Sequence, residues 1–216
     1  MKIIGITGTI ASGKSTLVTM LRRDRFNVFD SDMCASESMQ NKTIVEALKK
    51  QFKQSNLQTK DGSIDKNILR ELVLRNRENL KKLEKITHPY IRKKEHEFVI
   101  KCAIQRKKII FLDIPLLLET KYRRRCDFII NMFVNKNIQK IRVLSRKGMS
   151  EREFNFLYDK QKKFNNRINN VYYVNVNSGN GKFFLRKKII RFIKNIEQLK
   201  KKNVWPSTYC KCICEK

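Results

Sequence analysis

The stretch Gly8-Thr9-Ile10-Ala11-Ser12-Gly13-Lys14-Ser15 constrains this chain more than any other. It matches G-x-x-x-x-G-K-[ST] in full, and its flanks supply the context that the pattern requires. Ile3 to Thr7 is an apolar run that predicts a buried strand, and Leu17, Met20 and Leu21 open a helical repeat. A loop with glycines at both ends can wrap so tightly that successive N–H groups converge on one anion. The helix behind it adds the positive end of its dipole. Such a cradle takes phosphates. Lys14 is placed to reach the β- and γ-phosphates of ATP, and Ser15 to ligate Mg²⁺. The expected nucleotide-binding set is therefore Gly8, Ala11, Ser12, Gly13, Lys14, Ser15 and Thr16. A chance match in a loop containing glycine and lysine is the competing reading, and the strand before and helix after count against it.

The rest of the chain reads as one α/β domain. Further apolar runs at Asn27–Asp30, Ile109–Asp113, Phe128–Val134 and Val171–Val176 predict strands. Most lack strict alternation, as strands buried on both faces do. Strands that alternate with helices imply a parallel sheet covered by helices. The second and third strands are the exception, because Met33 to Lys108 is almost wholly helical in pattern and too long for one crossover. That stretch predicts a helical insertion. Within it Asp61-Gly62 signals a turn, and the proline of His88-Pro89 marks a helix boundary. A second helical stretch runs from Lys136 to Lys163. The last helix, about Gly181 to Lys202, carries Leu185, Ile189, Phe192, Ile193, Ile196 and Leu199 on one stripe.

Apolar residues are 41% of the 216, enough for a core, and the net charge is +29. Three readings of that charge stand: binding to nucleic acid, polyanionic substrates, or a composition rich in lysine, asparagine and isoleucine. The positives are spread along the chain without a basic block or an aromatic-rich RNA motif, so no nucleic-acid partner is expected. No apolar run is long enough to cross a bilayer, so no membrane partner is expected either. The apolar N-terminus leads straight into the Gly-Lys-Ser loop where a leader would need a cleavage site, and a cytoplasmic protein is expected. Of the six cysteines, Cys34, Cys102 and Cys126 lie in apolar or helical surroundings and read as small core residues. Cys210, Cys212 and Cys214 alternate in a tail, 203–216, that is expected to be disordered. Their spacing does not suit a structural zinc.

Three features separate this P-loop from those of motors and GTPases. Phe29-Asp30-Ser31-Asp32 ends the second strand, and in a parallel sheet the carboxyl ends of the strands face the active crevice. A carboxylate there can accept a proton from an acceptor hydroxyl or hold Mg²⁺ through water. The alternative is that Asp30 or Asp32 caps the next helix. Asp113, after an apolar strand, stands where an acidic residue serves the Mg²⁺ shell. Arg142 and Arg146 lie one turn apart on one helix face, where mobile arginines can neutralise a transferring phosphoryl group. A solvated basic face is the alternative for them.

Taken in order, these segments resemble the dephospho-CoA kinase family, from Ile3 to about Gly179. The resemblance is carried by Gly5-Ile6-Thr7-Gly8 through Thr16, Val28-Phe29-Asp30-Ser31-Asp32, Asp61-Gly62-Ser63-Ile64-Asp65, Leu83-Glu84 and His88-Pro89-Tyr90-Ile91. It continues through Asp113-Ile114-Pro115-Leu116-Leu117-Leu118-Glu119, then Gln139, Arg142, Arg146, Gln161, Arg167 and Asn177.

The resemblance implies a P-loop kinase fold: a five-stranded parallel sheet flanked by helices, a helical acceptor-binding insertion and a small helical lid. The core would be about 1–32, 109–135 and 170–202, the insertion about 33–108 and the lid about 136–169. It implies transfer of the γ-phosphate of ATP, with Mg²⁺, to the ribose 3′-hydroxyl of dephospho-CoA, by a monomer or weak homo-oligomer. On this reading Asp32 is the general base, and Lys14, Arg142 and Arg146 stabilise phosphoryl charge. Asn177 lies near the adenine, Lys66, His88 and Leu117 serve the acceptor with Asp32, and Ser15 and Asp113 serve the metal. For His88 a structural role at a helix end before proline stands equally. Another small-metabolite or nucleoside kinase, and an ATP-dependent nucleic-acid-binding protein, are the competing functions.

Departures from the family pattern are few. Thr9 and Ala11 stand where glycines are usual, Lys66 where an arginine is, and Val171-Tyr172 where an Ala-Asp pair is.

Overall fold

A computed structural model describes residues 1–53, 57–59, 61–114, 117, 125–145, 151, 154–155, 158 and 172–198, with backbone alone at 74, 75, 77, 172 and 173. Five strands form one sheet: β1 (Lys2–Gly8), β2 (Asn27–Asp30), β3 (Ile109–Asp113), β4 (Phe128–Phe133) and β5 (Tyr172–Asn177). Their spatial order is β2-β3-β1-β4-β5. β1 pairs in parallel with β3, Ile6 opposite Asp113, and with β4, Gly8 opposite Met132. β4 pairs in parallel with β5. The expected five-stranded sheet is thus present, with strand ends within a residue or two of the apolar runs. Every residue of β3 is buried, as its unbroken Ile-Ile-Phe-Leu-Asp run requires of a strand covered on both faces.

Among the described residues the helices are α1 (Lys14–Arg23), α2 (Ser31–Ser38), α3 (Lys42–Phe52), α4 (Lys66–Arg75), α5 (Arg77–Ile104), α6 (Lys136–Leu144) and α7 (Lys182–Gln198). Leu17, Val18 and Leu21 of α1 and Leu185, Ile189, Ile193 and Ile196 of α7 pack with Ile4, Ile6, Phe111 and Ile130 in the main core. Each such side chain is worth about 1.5–3 kcal/mol when taken fully out of water. Gly5 faces the other side of β1 from Ile4 and Ile6, where Leu117 and Cys126 leave no room for a side chain. A Cβ there would lie 2.5 Å from Leu117 Cδ2 and 2.8 Å from Cys126 Sγ.

The chain divides into two compact units, Asp30–Lys101 and the remainder. The first of these has its own core, in which Met39, Ile44, Val45, Leu48, Leu57, Ile64 and Leu69 are buried. Its helices start on side-chain caps: Asp30 for α2, Asn41 for α3 and Asp65 for α4. The Asp61-Gly62 turn is present, with Gly62 at φ 84° and its N–H bonded to Thr59 O at 3.0 Å. Hydrogen bonds from Thr59 and Ser63 hold the Asp61 carboxyl below its ordinary pKa.

One expectation fails. Pro89 does not bound a helix, because α5 runs through it for 28 residues. Proline costs a helix interior about 3 kcal/mol. Leu83 and Ile86 before it and Tyr90 after it pack on the same apolar cluster, so burial on both sides outweighs the missing hydrogen bond. Cys34, Cys102 and Cys126 are buried and in no disulfide, as their surroundings suggested, and burial pushes the Cys34 thiol upward. No described helix is long and apolar enough to cross a membrane. Leu199, Val171, most of the helical pattern after Leu144 and the Cys210, Cys212 and Cys214 tail lie outside the described residues.

Candidate functional site

The loop that joins β1 to α1 is shaped by close contacts that only glycine admits at two positions. A Cβ on Gly8 would lie 2.4 Å from Met132 O and 2.6 Å from Ser12 Oγ. Gly13 caps α1 in the left-handed region at φ 90°, with Ser178 Cβ 3.0 Å from where its own Cβ would be. Between them Ser12 N–H closes a turn on Thr9 O at 3.2 Å. Ala11 takes the third position of that turn at φ 53°, a conformation that favours glycine. Leu17 N–H then bonds to Gly13 O at 3.1 Å as the helix begins. The result is a glycine-bounded strand-to-helix loop at the positive end of α1, the arrangement that accepts phosphate.

Lys14 and Asp113 meet at this end of the sheet. Lys14 Nζ stands 3.3 Å from Asp113 Oδ1, and both side chains are largely buried. The pairing follows from register, because Asp113 lies opposite Ile6 and Ile114 N–H bonds to Ile6 O at 3.2 Å. Ser15, in the first turn of α1, is exposed. The hydroxyl of Ser15 and the carboxylate of Asp113 are hard oxygen donors of the kind Mg²⁺ takes. Among the described residues no group of three or more His, Cys, Asp and Glu side chains could hold a metal by itself. The donor set therefore fits an ion shared with substrate phosphates, the usual mode for Mg²⁺.

Arg142 is fixed rather than free. Its Nη1 donates to Ala11 O at 3.1 Å and to Ser178 Oγ at 2.8 Å, and its Nη2 donates to Ser178 O at 3.2 Å. One turn earlier on α6, Gln139 Nε2 donates to Thr9 Oγ1. Asn177, the last residue of β5, accepts from Gly179 N–H at 2.8 Å and so shapes the turn that carries Ser178. Leu117 is fully buried against Gly5, where its side chain serves packing. Arg146 lies outside the described residues.

The compact unit Asp30–Lys101 holds the remaining candidates. The Asp30 side chain accepts from Met33 N–H at 2.9 Å and is the N-cap of α2. That removes the capping role from Asp32, which is exposed in the first turn and engaged by no hydrogen bond or ion pair among the described residues. Asp32 and Ser36 are one turn apart on α2, and Lys66 Nζ donates to Ser36 Oγ. The Lys66 ammonium is thereby held beside the α2 face that bears Asp32. His88 lies on α5 with part of its surface in solvent. Desolvation of its ring lowers its pKa, Glu84 opposes the shift and Arg92 adds to it. Of the contacts described, those of Ser178 and Gln139 were not foreseen in the sequence as parts of a site. Neither residue type carries chemistry alone: Ser178 gives no signal by its spacing, and Gln139 is marked only by its place in the family pattern.

Comparison with known proteins follows the same lines. A family model described as dephospho-CoA kinase matches residues 2–182. A dephospho-CoA kinase from Bartonella quintana is 37% identical over 161 residues, which are 74% of this chain and 81% of that protein. One from Fusobacterium nucleatum is 33% identical over 194 residues, 90% of this chain and 98% of that protein. The solved structure of dephospho-CoA kinase from Campylobacter jejuni superposes with a TM-score of 0.64 at 26% identity, covering 92% of this chain and 98% of that one.

Proposed function

Since the chain belongs to the dephospho-CoA kinase family, we propose how its residues divide the transfer of the γ-phosphate of ATP to dephospho-CoA. The products are CoA and ADP, and the acceptor atom is the ribose 3′-hydroxyl oxygen. The observation that carries the residue assignment is the separation of Asp30 and Asp32 into a helix cap and an exposed carboxylate unengaged among the described residues.

On the donor side the backbone N–H groups of Gly8 to Thr16 hold the β- and γ-phosphates. Lys14 exchanges Asp113 for phosphate oxygens, since a triphosphate offers more charge than one carboxylate, and it follows that charge as it migrates. Asp113 and Ser15 are the residues that would hold Mg²⁺. That ion supplies charge neutralisation on the phosphate oxygens when bound. Arg142 holds the loop and the β5–α7 turn together, and Arg146 is assigned to phosphoryl charge by family position alone. Asn177, through the turn it shapes, borders the space for the adenine.

On the acceptor side Asp32 takes the proton of the 3′-hydroxyl as its oxygen bonds to the γ-phosphorus and the bond to the β-phosphate oxygen breaks. Lys66 supplies a cation to the anionic acceptor, with point-charge geometry in place of the bidentate fork usual in the family. His88 contributes to the acceptor side from α5. The protein is proposed to act in the cytoplasm as a monomer or weak homo-oligomer.

The test is ADP release by purified protein with ATP and Mg²⁺, comparing dephospho-CoA with nucleosides, sugars and single-stranded RNA. Stimulation by dephospho-CoA alone, with CoA as product, supports the reading. Stimulation by a nucleoside and not by dephospho-CoA overturns it.

A further inference from the structure

Thr9 and Ala11 occupy loop positions where the family usually has glycine, and α6 holds both. Gln139 is only 2% exposed, and its Nε2 donates to Thr9 Oγ1. Arg142, one turn on, holds Ala11 O. Next to Arg142, Val143 is fully buried in a small apolar cluster with Ala11 and Phe154, against which Ile10 packs. Helix α6 thus meets three consecutive residues of the loop by two hydrogen bonds and one apolar contact. Ala11 needs this support, because an alanine in the left-handed region is disfavoured by about 1–2 kcal/mol.

The state of the Gln139 amide shows what it is for. Its Oε1 is buried with no hydrogen-bond partner among the described residues. A half-satisfied buried amide is worse for stability than an apolar side chain of the same shape. Stability therefore gives no reason for glutamine here, and in this chain its Nε2 is committed to Thr9 Oγ1. We propose that Gln139 is a positioning residue for nucleotide binding: through Thr9 Oγ1 it fixes the outer arm of the P-loop, Thr9 to Ala11, in its phosphate-accepting conformation. A glycine at position 9 would have no side chain to grip. The same α6 could then hold the loop only through the backbone.

The inference rests on the loop's binding ATP, and its test reads nucleotide affinity rather than turnover. ATP and ADP affinity by calorimetry, KM for dephospho-CoA and Tm are measured for Gln139→Leu, Thr9→Val, Thr9→Ser and the double variant Q139L/T9V. Each of the first two should weaken nucleotide affinity about fivefold to tenfold, the scale of one lost positioning bond. KM for dephospho-CoA should stay within about twofold, since the acceptor does not use this loop arm. The double variant should bind no more weakly than either single one, because both remove the same interaction. Thr9→Ser should bind like wild type. Unchanged nucleotide affinity in Thr9→Val, losses that multiply in the double variant, or a fall in Tm with affinity kept would each overturn the proposal. A wild-type protein that binds ATP but ignores dephospho-CoA would count against the acceptor assignment alone, and the affinities would still decide the role of Gln139.

Discussion

The residues proposed for the phosphate donor and those proposed for the acceptor differ in how their side chains are engaged. Lys14 is paired with Asp113, Arg142 with Ala11 and Ser178, Gln139 with Thr9, and Asn177 with Gly179. In the unit Asp30–Lys101, by contrast, Asp32 is exposed and unengaged among the described residues, and exposed Lys66 rests on a single serine hydroxyl. A loop that must present several N–H groups to one phosphate gains from being fixed in advance, because ordering it later would cost binding energy. A general base has the opposite requirement. Its lone pairs must be open to the incoming hydroxyl, and a partner of its own would compete.

Breaking the donor side should have the largest effect. Lys14→Ala should lower kcat by about a thousandfold or more while the folded state survives, given its proposed role on migrating phosphoryl charge. Near-normal turnover would remove the P-loop from the mechanism. Asp32→Asn comes next. It should lower kcat by about a hundredfold to ten-thousandfold and leave ATP affinity within about twofold, the signature of a group used only in the transition state. Equal losses in kcat and ATP affinity would place Asp32 on the donor side of the comparison. Lys66→Ala should raise KM for dephospho-CoA about tenfold with the KM for ATP unchanged, and Lys66→Arg should lower it by restoring a bidentate fork. Steady-state kinetics with each substrate varied in turn checks both.

Smaller effects sharpen the donor side alone. Gly13→Ala should cost about 1–2 kcal/mol in denaturant unfolding. Its φ is 90° and its Cβ would press on Ser178 at 3.0 Å. Last, Asp127 accepts Ile3 N–H at 2.7 Å. Burial still raises its pKa, outweighing that bond, the chain's N-terminus and Lys2. A carboxyl raised in the folded state binds more protons there than in the unfolded chain. Its contribution is complete below the unfolded value of 3.8 and is lost as pH rises through the raised value. Asp127→Asn should flatten the stability profile across that window, and an unchanged slope in thermal melts would assign the pH dependence to other groups.

The same contrast explains what was legible in the sequence. The P-loop was readable because its chemistry needs glycine at fixed places, and the structure puts Gly13 where its left-handed φ requires it. The strands were readable because burial on both faces writes unbroken apolar runs such as Ile109 to Asp113. Asp32 could not be told from a helix cap until Asp30 was found capping α2 through Met33 N–H. Pro89 misled for a physical reason: local propensity marks a break, and the long-range packing of Leu83, Ile86 and Tyr90 is invisible in a local window. The grip of Gln139 and Arg142 on the loop joins residues far apart in sequence, and no spacing rule encodes it.

We propose delivery of the γ-phosphate of ATP to one ribose hydroxyl of dephospho-CoA. Its most direct test is to locate the transferred group, using ATP labelled in the γ-phosphate and phosphorus NMR of the product. The account predicts one label per ADP formed, all of it on the 3′ oxygen. Label released as inorganic phosphate, or found on another hydroxyl, would contradict it.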